Sequence, residues 1–242
     1  EEKDRKKFYI ELLPKLKERI ARNLSGVKDF MEVCSKKTKA WIKDFNTVSS
    51  SGRSNFPGSG KSVDLVVTSP PYGDSGTTVA YAQFSWLSNV WLSLDNRSSS
   101  SLDNDLMGGR KTQIMPREFF KMMQCKSLKL SLDKIFKQDE IRASEVMQFY
   151  YDYYLSMANV ATEVKSGGHV CYVVSNRTVS GEKLPTDKFT QWAFEENGFK
   201  HLITHNRNIP NKRMPSRNSP SNIAGKTVST MTKEQIVIMQ KI

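Results

Sequence analysis

The sequence predicts an α/β protein built on part of a doubly wound, Rossmann-like sheet, preceded by a helical extension. Three observations carry this reading. A β-branched apolar run, Val63, Leu65, Val66 and Val67, stops abruptly at Pro70 and Pro71, as a buried parallel strand does where it leaves its sheet. After it, apolar runs of strand length alternate with stretches of helical period, the pattern of an α/β sheet rather than of a sandwich or bundle. Before it, apolar residues recur at helical spacing among dense charges.

Taken in order, Phe8, Ile10, Leu12, Leu13, Leu16 and Ile20 predict a first amphipathic helix, with Pro14 as a point of kinking or breakage. Residues 27–45 predict a second. Residues 46–62 have the Gly, Ser and Pro content of an irregular connection, so 1–61 read as helical extension and linker and 62–242 as the sheet-bearing part. The strand at 63–67 is expected to be buried on both faces. An aromatic-rich helix with Tyr81, Phe84, Trp86 and Trp91 follows at 79–94, then a loop at 95–112 carrying Gly108 and Gly109. Helices are expected at 116–132 and at 143–165, where Val146, Phe149, Tyr150, Tyr153, Met157, Val160 and Val164 are spaced by about three or four, and Gly167–Gly168 ends the second of them. A strand at 169–175, a helix at 186–197 stopped by Gly198, and strands at 199–205 and 234–241 complete the second half of a doubly wound sheet.

A chain of 242 residues is long enough for one large domain or for one domain with an extension. Lys plus Arg number 37 against 25 acidic residues, a formal net charge of +12, which points to a polyanionic partner. No apolar stretch approaches a membrane span, and the charged N-terminus is no secretion signal, so a cytoplasmic location is expected. Cys34, Cys125 and Cys171 lack the spacing of a disulfide framework or a zinc site, and His169, His201 and His205 share no metal-like spacing, so no metal is expected.

The turn after the strand suits one chemistry. An exocyclic amine on a nucleobase is a poor nucleophile because its lone pair is delocalised into the ring. Ser69 Oγ and the Pro70 carbonyl can each accept a hydrogen bond from such an amine, drawing its nitrogen toward tetrahedral geometry. Pro70 and Pro71 have no N–H and stiffen the turn, and Tyr72 offers a ring on which a base can stack. A paired base cannot reach this turn, so it must be flipped out of its duplex.

The stretch Thr68-Ser69-Pro70-Pro71-Tyr72 resembles the amino-methylating DNA methyltransferases, and its serine form resembles their cytosine-N4 group. The resemblance implies a site-specific enzyme of restriction-modification type, acting on double-stranded DNA in a prokaryotic cytoplasm. It implies S-adenosylmethionine as donor and direct in-line transfer to cytosine N4, with Ser69, Pro70, Pro71 and Tyr72 forming the catalytic turn. An adenine-N6 enzyme and a catalytically silent DNA-binding subunit are the rival readings. The element order also resembles the last four strands of the methyltransferase fold, whose final two form an antiparallel hairpin.

Such enzymes hold the donor with a Phe-x-Gly-x-Gly loop after their first strand. Phe56-Pro57-Gly58-Ser59-Gly60 matches the letters, but no apolar strand precedes it and no helix follows, so it reads as linker. The donor-binding half is therefore expected on a second subunit or another segment, and the flank of the Ser-Pro-Pro-Tyr strand is expected to need a partner. Thr68 and Asp74, on either side of the turn, are the candidate donor contacts, although residues 73–78 equally suit capping the next helix. Residues 200–226 contain no acid. Their Arg207, Lys212, Arg213, Arg217 and Lys226, kept extended by Pro210, Pro215 and Pro220, are the candidate DNA contacts.

Overall fold

The computed structural model describes residues 2–34, 46–48, 63–73, 81–93, 101, 103–104, 106–109, 114–209, 217–218, 228–229 and 232–242. The chain divides into two units, Glu1–Asp44 and Phe45–Ile242.

The first unit is described as one helix, α1 (Glu2–Val33), with Pro14 inside it. The expected second helix is corrected over 27–33, which continues α1 without interruption; the remainder of that expectation, from 35 onward, lies outside the described residues. Gly26 does not end the helix, since a mid-helix glycine costs only about 1 kcal/mol relative to alanine. Leu13, Leu16, Ile20, Leu24, Val27 and Met31, three or four apart along one stripe, are all exposed.

Among its described residues, the second unit is a four-stranded sheet with helices packed on one face. Its strands are β1 (Val63–Thr68), β2 (Val164–Val174), β5 (Phe199–Asn208) and β8 (Lys233–Lys241), in the order β1-β2-β8-β5. β1 and β2 are parallel, and β8 is antiparallel to both β2 and β5. The last two strands therefore form the expected antiparallel pair. The helices are α2 (Tyr81–Trp91), α3 (Ile114–Met122), α4 (Lys126–Gln138), α5 (Glu140–Glu163) and α6 (Thr186–Glu196).

Helix α5 carries the core. Val146, Phe149, Tyr150, Tyr153, Met157 and Val160 fall on one face and are buried against α4, α6 and the sheet. Rings pack edge-on across these layers, Tyr150 on Phe189 with centroids 4.8 Å apart and Tyr172 on Phe194 at 4.9 Å. Burying two tyrosine hydroxyls is tolerated because each meets a threonine of α6: Tyr150 to Thr186 at 2.8 Å and Tyr153 to Thr190 at 2.9 Å.

Several boundaries differ from the sequence reading. The helix expected at 116–132 is two, α3 and α4, with a break at 123–125 that turns Met123 and Cys125 into the core. Helix α5 begins at Glu140, where Asp139 accepts the Arg142 N–H at 2.9 Å as an N-cap. Gly167–Gly168 do not end this helix: β2 already starts at Val164, and Gly167, at φ 80°, sits where the β1–β2 register slips between Val63 and Leu65. Glycine serves there as a bulge residue. A hairpin not foreseen, β3 (Thr178–Val179) and β4 (Glu182–Lys183), turns through Ser180 and Gly181, both at positive φ. Part of the loop expected at 95–112 is ordered on α5, where Asp152 Oδ2 accepts the Gly108 N–H at 2.8 Å.

The largest correction concerns β1. Its residues were expected to be buried on both faces, yet Leu65 is 56% and Val67 66% exposed. Side chains alternate across a strand, and only the Val66 face meets the helices. Among the described residues β1 is also an edge strand, paired on one side by β2 alone.

Candidate active site

The topology brings four chain segments to one edge of the sheet. β1, β2 and β5 all end there, and antiparallel β8 begins there. This is the carboxyl edge, where open α/β sheets bind their ligands. β1 delivers Ser69, Pro70, Pro71 and Tyr72; β2 leads into Ser175, Asn176 and Arg177; β5 supplies Arg207; β8 supplies Glu234.

These residues form a connected polar chain. Tyr72 donates its phenol proton to Glu234 Oε1 at 2.8 Å, and the Ser69 and Tyr72 hydroxyl oxygens lie 3.2 Å apart. Arg207 donates through Nε to Glu234 Oε2 at 3.1 Å and closes an ion pair with it through its Nη2. The Glu234 side chain is only 12% exposed and that of Arg207 58%, so the carboxylate is held inside while the guanidinium still faces outward. Burial pulls the Glu234 pKa upward, but the hydrogen bonds from Arg207 and Tyr72 outweigh it and the net shift is downward. Burial, together with the neighbouring carboxylate, raises that of Tyr72 despite its contact with Ser69. At neutral pH the chain is carboxylate, phenol and serine hydroxyl.

Gly73 completes the turn and packs close against the Arg177 guanidinium. It is buried, and a Cβ built there would lie 2.2 Å from Arg177 Nη1. Arg177 is itself buried, 5.8 Å above the Phe149 ring. Behind the turn lies a cavity of about 380 Å³ lined by Thr68, Ser69, Pro70, Pro71, Val66, Tyr172 and Glu163, with Thr47 and Ser156 at 2.7 Å from each other on its wall. Glu163 is buried there, and its Oε2 has no hydrogen-bond partner among the described residues.

Of the residues singled out from sequence, the structure thus brings together Thr68, Ser69, Pro70, Pro71, Tyr72 and Arg207. Arg207 is paired with Glu234 beside the turn. Arg217 lies on β6 (Arg217–Asn218), which pairs with β7 (Val228–Ser229). Asp74, Lys212, Arg213 and Lys226 lie outside the described residues, as does the 56–60 stretch. Glu234 and Arg177 were not anticipated. Both sit at strand ends on the carboxyl edge, and an acid opening the last strand was the available signal for Glu234. Among the described residues no cluster of three or more His, Cys, Asp or Glu side chains could hold a metal ion, and no helix is long and apolar enough to cross a membrane.

No protein-family model matches the chain. Structures of TTHA0409 from Thermus thermophilus, described as a candidate DNA modification methylase, align with 81% of this chain and about half of that one, at 15–16% identity and a TM-score of 0.38; the aligned structures include one complexed with S-adenosyl-L-methionine. Over 181 residues, 73% of this chain, the sequence is 42% identical to the Type II methyltransferase M.MvaI of Kocuria varians. Over that stretch the chain is a homologue of a Type II methyltransferase, spanning 40% of the relative's length.

Proposed function

We propose that residues 62–242 are the target-base half of a restriction-modification DNA methyltransferase that acts on cytosine N4, residues 1–61 being an extension and linker. The observation that carries this reading is the Ser69-Pro70-Pro71-Tyr72 turn at the carboxyl end of β1, anchored by Glu234. The 42% identity to a Type II methyltransferase supports the reaction class.

On this reading the flipped cytosine enters beside the turn. Ser69 Oγ and the Pro70 carbonyl accept the two amino hydrogens, and the Tyr72 ring packs on the base. S-adenosylmethionine supplies the methyl group when bound. Among the described residues the sheet stops at the open edge of β1, the strand that delivers Ser69. A second segment or subunit covers that edge. Positioning supplies most of the acceleration, since well-oriented groups can reach effective molarities of about 10⁵ M and more. Arg207, Lys212, Arg213, Arg217 and Lys226 contact DNA phosphates, and Thr68 and Asp74 approach the donor.

Nucleoside analysis of duplex DNA incubated with donor and the complete enzyme is expected to yield N4-methylcytosine. N6-methyladenine in its place would transfer the reading to the adenine class. Neutralising Arg213 and Arg217 is expected to weaken binding to every DNA sequence alike, and to reduce the slope of log K against log salt by about 1 for each phosphate contact removed. An unchanged slope assigns these cations to solvent.

A further inference from the structure

We propose that Glu234, acting through Tyr72, fixes the hydroxyl proton of Ser69, so that Ser69 meets the target base as an acceptor only and thereby selects an amine-bearing base over a carbonyl-bearing one. The inference rests on the reading above in one respect, that Ser69 faces the base's exocyclic group.

Donor counting carries it. An ionised carboxylate only accepts, and a phenol owns one proton. Arg207 occupies Glu234 Oε2, leaving Oε1 to Tyr72 at 2.8 Å, so the Tyr72 proton is committed to Glu234. The contact of 3.2 Å between Ser69 Oγ and the Tyr72 oxygen can then be made in one direction only, with Ser69 donating. Once its proton points at Tyr72, Ser69 presents lone pairs to anything on its other side. Cytosine offers an N4–H₂ donor to those lone pairs, whereas uracil offers the O4 acceptor. Two acceptors facing each other leave a desolvated group unpaired, a loss of about tenfold or more in affinity. Glu234 and Tyr72 act here as positioning residues. Sequence spacing could not have joined them, because 162 positions separate the two.

The test is competition binding by fluorescence anisotropy, using the full chain and duplexes in which a cytosine or a uracil faces an abasic site. That placement removes most of the cost of unpairing the base. The wild-type protein is expected to prefer cytosine by about tenfold. Tyr72→Phe keeps the ring but frees the Ser69 hydroxyl to rotate and donate to O4, so the preference should fall severalfold, toward what the acceptor-only Pro70 carbonyl imposes by itself. Glu234→Gln should move it the same way, because the amide can donate to Tyr72 and reverse the chain. Tyr72 serving only to hold the turn would instead weaken both duplexes equally and leave the ratio intact, which would overturn the proposal. Equal wild-type binding to the two duplexes would overturn the relay while leaving DNA binding in place. Absence of binding to either would overturn the proposal for this chain, while the nucleoside analysis of the complete enzyme decides the methyltransferase reading separately.

Discussion

Ser69→Ala is expected to lower methyl transfer to cytosine N4 by about 10²- to 10³-fold in the complete enzyme, the scale seen when one preorganised polar group is removed from a reacting centre. DNA affinity should change little. Ser69 is exposed at the end of β1, and among the described residues its side chain hydrogen-bonds Tyr72, so the substitution removes no core packing. Tyr72 keeps its bond to Glu234, and Glu234 keeps Arg207, so the turn stays anchored. What disappears is an acceptor aligned with the reacting amine, while phosphate contacts elsewhere survive. Single-turnover methylation and equilibrium DNA binding, measured on the same preparation, separate the two effects. Parallel losses in both would show that Ser69 supports the turn rather than the amine.

The second large effect is expected on reconstitution. The isolated chain should bind S-adenosylmethionine weakly and transfer no methyl group, and should gain both abilities when a polypeptide carrying the donor-binding half is supplied. β1 leaves one edge open among the described residues, with Leu65 and Val67 exposed beside it, and such an edge is a template for another strand. Pairing there would satisfy the free backbone groups of the β1 edge and bring the donor opposite Ser69. Association at a partner concentration 100-fold above Kd would stabilise the fold by about 2.7 kcal/mol, so the melting temperature should rise with partner concentration. Titration calorimetry with the donor decides it. Micromolar binding by the single chain would overturn the expectation and move attention to residues 56–60.

The legible parts of this protein were those in which local sequence and tertiary demand agree. Val63–Thr68 followed by Pro70 and Pro71 reads as a strand and its exit because the β-branched residues favour a pleat and the prolines cannot continue one. The apolar period along α5 and the stop at Gly198, φ 80°, were readable for the same reason. Three features were not. The break between α3 and α4 carries no proline or glycine; it exists because Met123 and Cys125 turn into the core. Gly167–Gly168 read as the end of a helix, yet Val164 had already paired with β1. The two-sided burial of β1 was inferred from its composition, and composition does not encode which neighbours are present to cover a face.

The sequence by itself determined which groups the turn carries: a serine hydroxyl, two prolines and a tyrosine, at the end of a strand in an α/β order. Only the tertiary structure decided what that turn is tied to. β8 runs antiparallel into the carboxyl edge, which sets Glu234 beside Tyr72 and brings Arg207 from β5 against it. Hydrogen bonds reach only about 3 Å, so residues far apart in the chain become partners solely through strand order and register. That register sets the Glu234 carboxylate against the Tyr72 hydroxyl at the end of β1.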